Sequence, residues 1–269
     1  SVKNRLAKDS KDGMSFTEFT YQLIQAYDFY HLFSQKDCNI QMGGSDQWGN
    51  IVGGIDLSRR QNRAHCFGLT VPLITKADGT KFGKTEAGAV WLDPSKTSPY
   101  SFYQFWLNTA DADVYRFMQF FTFLGLEEIE AIRAADAASG TKPEAQGILA
   151  QEVTRLVHGD AGLAAAQRIS GALFSGDIAS LTESDLAQLA QDGLPTTDSS
   201  GGTITELLVA TALAKSNKMA REFVGNNAVS VNGDVVSDAD SVLGAENALH
   251  GRYFVLRRGK KLFHLLRLV

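Results

Sequence analysis

Four groups of residues in this 269-residue chain have side chains whose types and spacing suit them to chemistry. The first reads as a helix opened by Ser15 with Glu18 three residues on, the spacing of a capping box. Along it Tyr21, Gln25 and Asp28 recur at i, i+4 and i+7, which sets a hydroxyl, an amide and a carboxylate on one face. Phe19, Leu23, Tyr27, Phe29 and Tyr30 surround that stripe. Turned inward, Asp28 needs a donor or a cation, such as a substrate phenol or ammonium; turned outward, the stripe is an ordinary hydrated face.

The second group follows the short apolar segment Cys38-Asn39-Ile40-Gln41-Met42 and reads Gly43-Gly44-Ser45-Asp46-Gln47-Trp48-Gly49-Asn50. A strand entering a glycine-rich turn and then a helix is where open α/β sheets bind nucleotides, because glycine lets the backbone approach and free N–H groups point at the ligand. Asp46 then suits a ribose and Gln47 a polar substrate group; a tight connection needing glycine for geometry alone fits the composition equally well. The third group is the loop Thr75-Lys76-Ala77-Asp78-Gly79-Thr80-Lys81-Phe82-Gly83-Lys84-Thr85, placed after an expected strand Leu69–Ile74. Lys81 and Lys84 are suited to neutralising a polyphosphate, or equally to a solvated turn. A P-loop is refused by spacing, since its first glycine falls at position 78, which is Asp.

The fourth group is basic. After Glu246 the chain carries no carboxylate side chain while Arg252, Arg257, Arg258, Lys260, Lys261 and Arg267 accumulate, and Lys215, Lys218 and Arg221 on an upstream helix extend the set. In a chain of net charge −4 this is a local phosphate-binding footprint or a basic tail, not a basic protein. His31, His65, His158, His250 and His264 have no ligand-like spacing to each other or to Cys38 and Cys66, so no metal site is expected. Two cysteines make no disulfide framework, which fits a reducing, cytoplasmic setting.

The elements that must hold these groups fall into three blocks. Residues 1–95 alternate helix, short apolar strand and Gly-rich turn, as in a parallel α/β layer. Residues 96–195 are helical: Ser98 caps and Pro99 opens one helix, Gly125 follows the apolar stretch Val114–Leu124, and Ala145–Val157 is periodic. Pro195 to Gly202, rich in Thr, Ser and Gly, reads as a linker. Residues 203–269 open with the capping box Thr203-x-x-Glu206, continue with a helix near Ser216–Val224, and end in strands paired about Asn232-Gly233 and about Arg257–Lys261. No apolar run reaches the ~20 residues of a membrane span.

In their order and wording, Tyr21-Gln-Leu-Ile-Gln25-Ala-Tyr-Asp28, Gly43-Gly-Ser-Asp46-Gln47-Trp-Gly-Asn50 and Lys81-Phe-Gly-Lys84-Thr85 resemble the later part of bacterial-type tyrosyl-tRNA synthetases, which are class I aminoacyl-tRNA synthetases. The third string is similar to their Lys-Met-Ser-Lys-Ser loop, and residues 203–269 to an S4-type RNA-binding module. The resemblance implies a fold made of the second half of a Rossmann-like parallel-sheet domain, a helical tRNA-binding domain and that small α+β module. It implies L-tyrosine, ATP with Mg2+ as substrate, tRNA(Tyr) and a homodimer, with no tightly bound metal.

By the same resemblance, Asp28 meets the phenol while Tyr21, Gln25 and Gln47 hold the ammonium and carboxylate end of tyrosine. Gly43, Gly44 and Asp46 hold the adenosine side. Lys81, Phe82, Gly83, Lys84 and Thr85 form the loop that stabilises pyrophosphate. Lys215, Lys218, Arg221, Arg257, Arg258, Lys260 and Lys261 face RNA. An Asp28 left unpaired by phenylalanine is costly, and the tyrosine enzymes are the established instance of that rule.

The family's His-x-Gly-His signature is absent, since none of the five histidines fits it, and pocket-forming strands expected before Ser15 are missing. The expectation is therefore a chain that starts inside a longer protein, leaves apolar sheet surface uncovered and does not activate tyrosine alone. A tryptophanyl-tRNA synthetase-like enzyme and a non-catalytic S4-type RNA-binding protein are the competing readings.

Overall fold

Helix α1 (Phe16–Lys36) begins directly after Ser15 and turns Ala26 and Phe29 into the protein. It packs on α2 (Trp48–Asn62), and the approach depends on Gly54, where an added Cβ would stand 2.7 Å from the Phe29 ring. The computed structural model describes residues 15–80, 82–85, 88–140 and 143–269, with the side chains of Glu18, Lys84 and Thr85 outside the description. The chain divides into one compact unit up to Phe82 and a second from Gly83 to Val269.

In the first unit β1 (Ile40–Gly44) runs parallel to β2 (Phe67–Val71), with Ile40 opposite Phe67 and Gly44 opposite Val71. The strand expected at Leu69–Ile74 lies further upstream, because Pro72 has no N–H to offer the ladder. One face of this sheet meets α2, where Gly68 lies against Ile51. On the other face Ile40, Met42, Phe67, Leu69 and Val71 are all more than half exposed, from 52% to 70%. Parallel sheets are ordinarily covered on both faces, so this apolar surface is the uncovered one that the sequence led us to expect.

The second unit opens with a two-residue ladder between β3 (Lys84–Thr85) and β4 (Gly88–Ala89). Strand rather than helix at Lys84 agrees with the rejected P-loop. Five helices follow: α3 (Pro99–Leu107), α4 (Asp111–Phe121), α5 (Leu126–Ser139), α6 (Ala145–Ser175) and α7 (Glu183–Gln188). Ser98 caps α3 by accepting from the Ser101 N–H, with Pro99 at the first turn, and α6 is interrupted at Gly159, whose φ of 69° breaks the helical run. Trp106 meets Phe102 and Phe117 edge-to-face and Phe121 at a tilt, in an aromatic core.

The segment expected as a linker is instead structured. β5 (Thr196–Ser199) pairs in parallel with β11 (Leu262–Leu268), and β6 (Gly202–Thr203) pairs with β9 (Val242–Leu243). Composition suggested freedom, but the Thr-rich strand satisfies an otherwise open edge: Asp198 takes two hydrogen bonds from Arg267, and the Thr197 hydroxyl meets the His264 ring. Thr203 and Glu206 form the expected capping box of α8 (Ile204–Ala210), and Ser216 caps α9 (Asn217–Gly225).

The five-stranded sheet runs β5-β11-β10-β7-β8, where β7 is Val229–Val231, β8 Asp234–Val235 and β10 Tyr253–Arg258. Asn232 and Gly233, both at positive φ, make the expected two-residue hairpin turn. Phe254, Leu256 and Leu266 pack on α8 and α9, while Tyr253, Val255 and Leu265 pack on Tyr100, Ile169, Leu181 and Leu189 of the helical block. The sheet is therefore buried on both faces. No helix among the described residues is long and apolar enough to cross a membrane.

Candidate functional site

The first unit gathers two of the sequence-derived groups. Gly43 and Gly44 end β1, a single 3-10 turn (Ser45–Gln47) follows, and α2 starts at Trp48, so the loop lies at the carboxyl ends of two parallel strands, where such sheets bind ligands. At Gly44 an added Cβ would stand 2.6 Å from Asp46 Oδ1 and 2.9 Å from Leu73 Cδ2, so a side chain there would displace the Asp46 carboxylate. The Gln47 amide donates to the Asp46 carboxylate (3.2 Å), and the Asn50 amide donates to Gln47 Oε1 (3.1 Å). Asn50 is thus the residue that orients Gln47, a role its place in the motif did not reveal.

One hydrogen bond ties the helix that carries the polar stripe to this loop. Gln22, next to Tyr21 on α1, donates to the Gly49 carbonyl at 3.1 Å and ties this helix to the first turn of α2. Gln25 is half-buried and Tyr21 is 56% exposed. Asp28 corrects the inward reading: its side chain is exposed rather than sunk among rings. The reason is angular. Gln22, Ala26 and Phe29 turn to α2, and the line of Tyr21, Gln25 and Asp28 is rotated about a quarter-turn from them at ~100° per residue. Tyr21, Leu23, Ile24, Tyr27 and Leu32 share its exposure, so α1 presents a broad uncovered apolar face around one carboxylate.

In the Thr75–Thr85 loop Asp78 accepts from the Thr80 N–H at 2.9 Å and from its hydroxyl, which lowers the Asp78 carboxyl below the usual range, and Gly79 and Gly83 both sit at positive φ. Lys81 lies outside the described residues, as do the side chains of Lys84 and Thr85; Phe82 and Gly83 are half-buried.

The basic group divides. Lys215, Arg258, Lys260 and Lys261 line one groove between α9 and the β10–β11 turn. Lys218 and Arg221 are exposed on α9, where Arg221 is held by Asp240 at 2.8 Å. Arg257, expected to act beside Arg258, projects from the opposite face of β10, over the Phe263 ring and bonded to the Gly259 carbonyl. Strand alternation alone separates the two arginines. Met219, Phe223 and Leu262, which the sequence reading passed over, also line the groove; the i, i+4 spacing of Met219 and Phe223 was the available signal. Cys38 and Cys66 are free thiols.

Two family models match the chain. Residues 1–175 match the family model for class I tRNA synthetases (W and Y), and residues 185–266 match the tyrosine--tRNA ligase SYY-like C-terminal domain. The tyrosine--tRNA ligase of Aliivibrio salmonicida is 64% identical over 267 residues, and that of Dechloromonas aromatica is 58% identical over 268. These alignments take in 98% and 99% of this chain but 62% and 63% of the relatives, so the chain spans about three fifths of their length. The crystal structure of a C-terminally truncated Coccidioides posadasii mitochondrial tyrosyl-tRNA synthetase matches at 37% identity and a TM-score of 0.49, over 62% of this chain and 48% of that one. With its family model matched from residue 1 to 175, the chain belongs to the class I tRNA synthetases of the W and Y group.

Proposed function

We propose that the protein to which these residues belong is a tyrosine--tRNA ligase, which activates L-tyrosine with Mg-ATP and transfers it to tRNA(Tyr). The observation that supports the reading is the bond from Gln22 to the Gly49 carbonyl, which joins the helix carrying Tyr21, Gln25 and Asp28 to the loop carrying Asp46 and Gln47. In this reading Asp28 accepts the phenol's hydrogen bond, and Tyr21, Gln25 and Gln47 hold the amino-acid end. Asp46 and the Gly43-Gly44 backbone hold the ribose and adenine side. The exposed face of α1 and the five apolar side chains of the sheet are covered in the complete protein, which desolvates Asp28 and gives the phenol its selectivity.

No side-chain nucleophile is needed. The substrate carboxylate attacks the α-phosphate of ATP, so the protein contributes orientation and charge stabilisation, the latter from Lys81 and Lys84 as pyrophosphate leaves. Thr85 completes that loop. Residues 1–95, 96–195 and 203–269 then act as half of the nucleotide-binding domain, a helical domain and an RNA-binding module whose cations are Lys215, Lys218, Arg221, Arg257, Arg258, Lys260 and Lys261. A homodimer working in the cytoplasm completes the reading, and mass measurement in solution tests the dimer.

The decisive experiment is tyrosine-dependent exchange of pyrophosphate into ATP. It is run on the chain alone and on a chimera joining it to the part of the Aliivibrio salmonicida enzyme that it does not match. Exchange by the chimera only, lost with Asp28→Asn, is the expected result. Full exchange by the chain alone, or a chimera that prefers tryptophan, overturns the proposal.

A further inference from the structure

The groove between α9 and the β10–β11 turn has a composition that a plain phosphate-binding surface does not need. Its volume is about 700 Å³, within the range of small-ligand sites. The floor is apolar, from Met219, Phe223 and Leu262, and the rim is cationic, from Lys215, Lys260 and Lys261. Between floor and rim lies Arg258. Its guanidinium is 5.0 Å from the centre of the Phe223 ring and donates to the Leu213 carbonyl, so its plane is held in place instead of swinging freely in solvent.

An aromatic ring and an anchored guanidinium plane beside lysines form the kind of platform on which an unstacked base is held. A duplex cannot use it, because its bases are stacked on one another and only its phosphates reach the rim. We propose that this groove receives one extruded nucleotide of an RNA, its base stacked on the Arg258 guanidinium that Phe223 backs and its phosphates held by Lys260 and Lys261. The proposal rests on the reading of residues 203–269 as an RNA-binding module and adds to it a preference for a bulged or unpaired nucleotide. Charge favours this occupant: the described rim carries three lysines and no carboxylate.

The test uses the 269-residue chain and two RNA hairpins identical except for one bulged nucleotide in the stem, titrated at about 0.15 M salt, where the Debye length is about 8 Å. The bulged hairpin should bind roughly tenfold more tightly, within the range for one stacked base. Phe223→Leu should remove that difference and leave duplex affinity unchanged. Leu262→Trp fills the groove from an exposed position that puts folding at no risk, and should do the same. Lys260→Glu with Lys261→Glu should weaken both hairpins. Equal affinity for the two hairpins, or a preference that survives both groove variants, overturns the nucleotide pocket while leaving the RNA-binding reading intact. Salt-insensitive or absent binding of both overturns that reading as well, and displacement of neither RNA by mononucleotide but of both by an acidic amphipathic peptide would assign the groove to a protein partner instead.

Discussion

Leu265→Ala tests whether the C-terminal sheet is part of the helical block's core. Leu265 is fully buried, and its neighbours Tyr100, Ile169, Leu181 and Leu189 come from three separate stretches of the helical block, so the cavity cannot close by moving one segment. Removing a buried leucine under those conditions costs about 3 kcal/mol, between the extremes of ~2 and ~5 for such substitutions. For a unit the size of residues 83–269 this lowers the melting temperature by about 6–12 °C. Calorimetry of the parent and the variant reads both the shift and the number of transitions. Because the sheet shares side chains with both layers, the whole unit should shift as one peak. Val235→Ala, at a position 62% exposed, serves as the control and should change stability by under about 0.5 kcal/mol. A Leu265→Ala effect as small as the control's, or a lowered peak separate from an unmoved helical one, would refute the shared core and restore the tethered-module picture.

Three further outcomes follow. The Asp185 carboxylate, 1% exposed, takes both hydrogen bonds of the Arg168 guanidinium at 2.7 Å, and Arg168 is itself 41% exposed. Arg168→Ala strands that carboxylate and should cost about 3 kcal/mol, whereas Asp185→Asn leaves an arginine that can reach water and should cost about 1–2. Burial alone raises the Asp185 carboxyl, but the Arg168 and Thr182 hydrogen bonds outweigh it and hold the folded value below the ordinary one. The pair's contribution is thus present above about pH 4 and lost as pH falls through the folded value, so parent and Asp185→Asn melting curves should converge in acid. Gly44→Ala pushes a methyl onto Asp46 and Leu73 and should lower tyrosyl-adenylate formation by the chimera about a hundredfold while the chain stays folded, as read by pyrophosphate exchange and circular dichroism. Lys260→Glu should reduce the salt slope of RNA binding by about 1, and Arg257→Glu, on the opposite sheet face, should change it less than Arg258→Glu does.

Local chemistry was legible in the sequence; partnership across long separations was not. Ser98 before Pro99, Thr203 three residues before Glu206, and Asn232-Gly233 between valines each specify their structure within four residues, and each appears in the fold. Thr196–Ser199 failed as a linker because its partner, β11, begins more than sixty residues later, and no local pattern announces an open strand edge that far away. Asp28 failed as a buried group for a related reason. Periodicity fixes which residues share a helix face, but the face that is buried depends on what packs there, and α2 took the side of Ala26 and Phe29. Arg257 and Arg258 were grouped by adjacency, although a strand sends neighbours to opposite faces.

The pairing of charges decides where a polyanion can bind in the second unit. In the helical block Arg116 is paired with Asp113, Arg133 with Glu130, Arg155 with Glu152 and Asp160, and Arg168 with Asp185, while Lys96 lies over the Trp91 ring. A phosphate arriving there meets a carboxylate already beside each arginine, which repels it. In the C-terminal part Arg221 and Arg267 are likewise paired, with Asp240 and Asp198, but Lys215, Lys260 and Lys261 stand together on one groove whose described lining has no acid. If the module binds RNA as proposed, counterion release should come chiefly from that groove and its turn. Because the sheet beneath it is packed into the helical block, a nucleotide held there is held at a fixed place relative to α6 and α7.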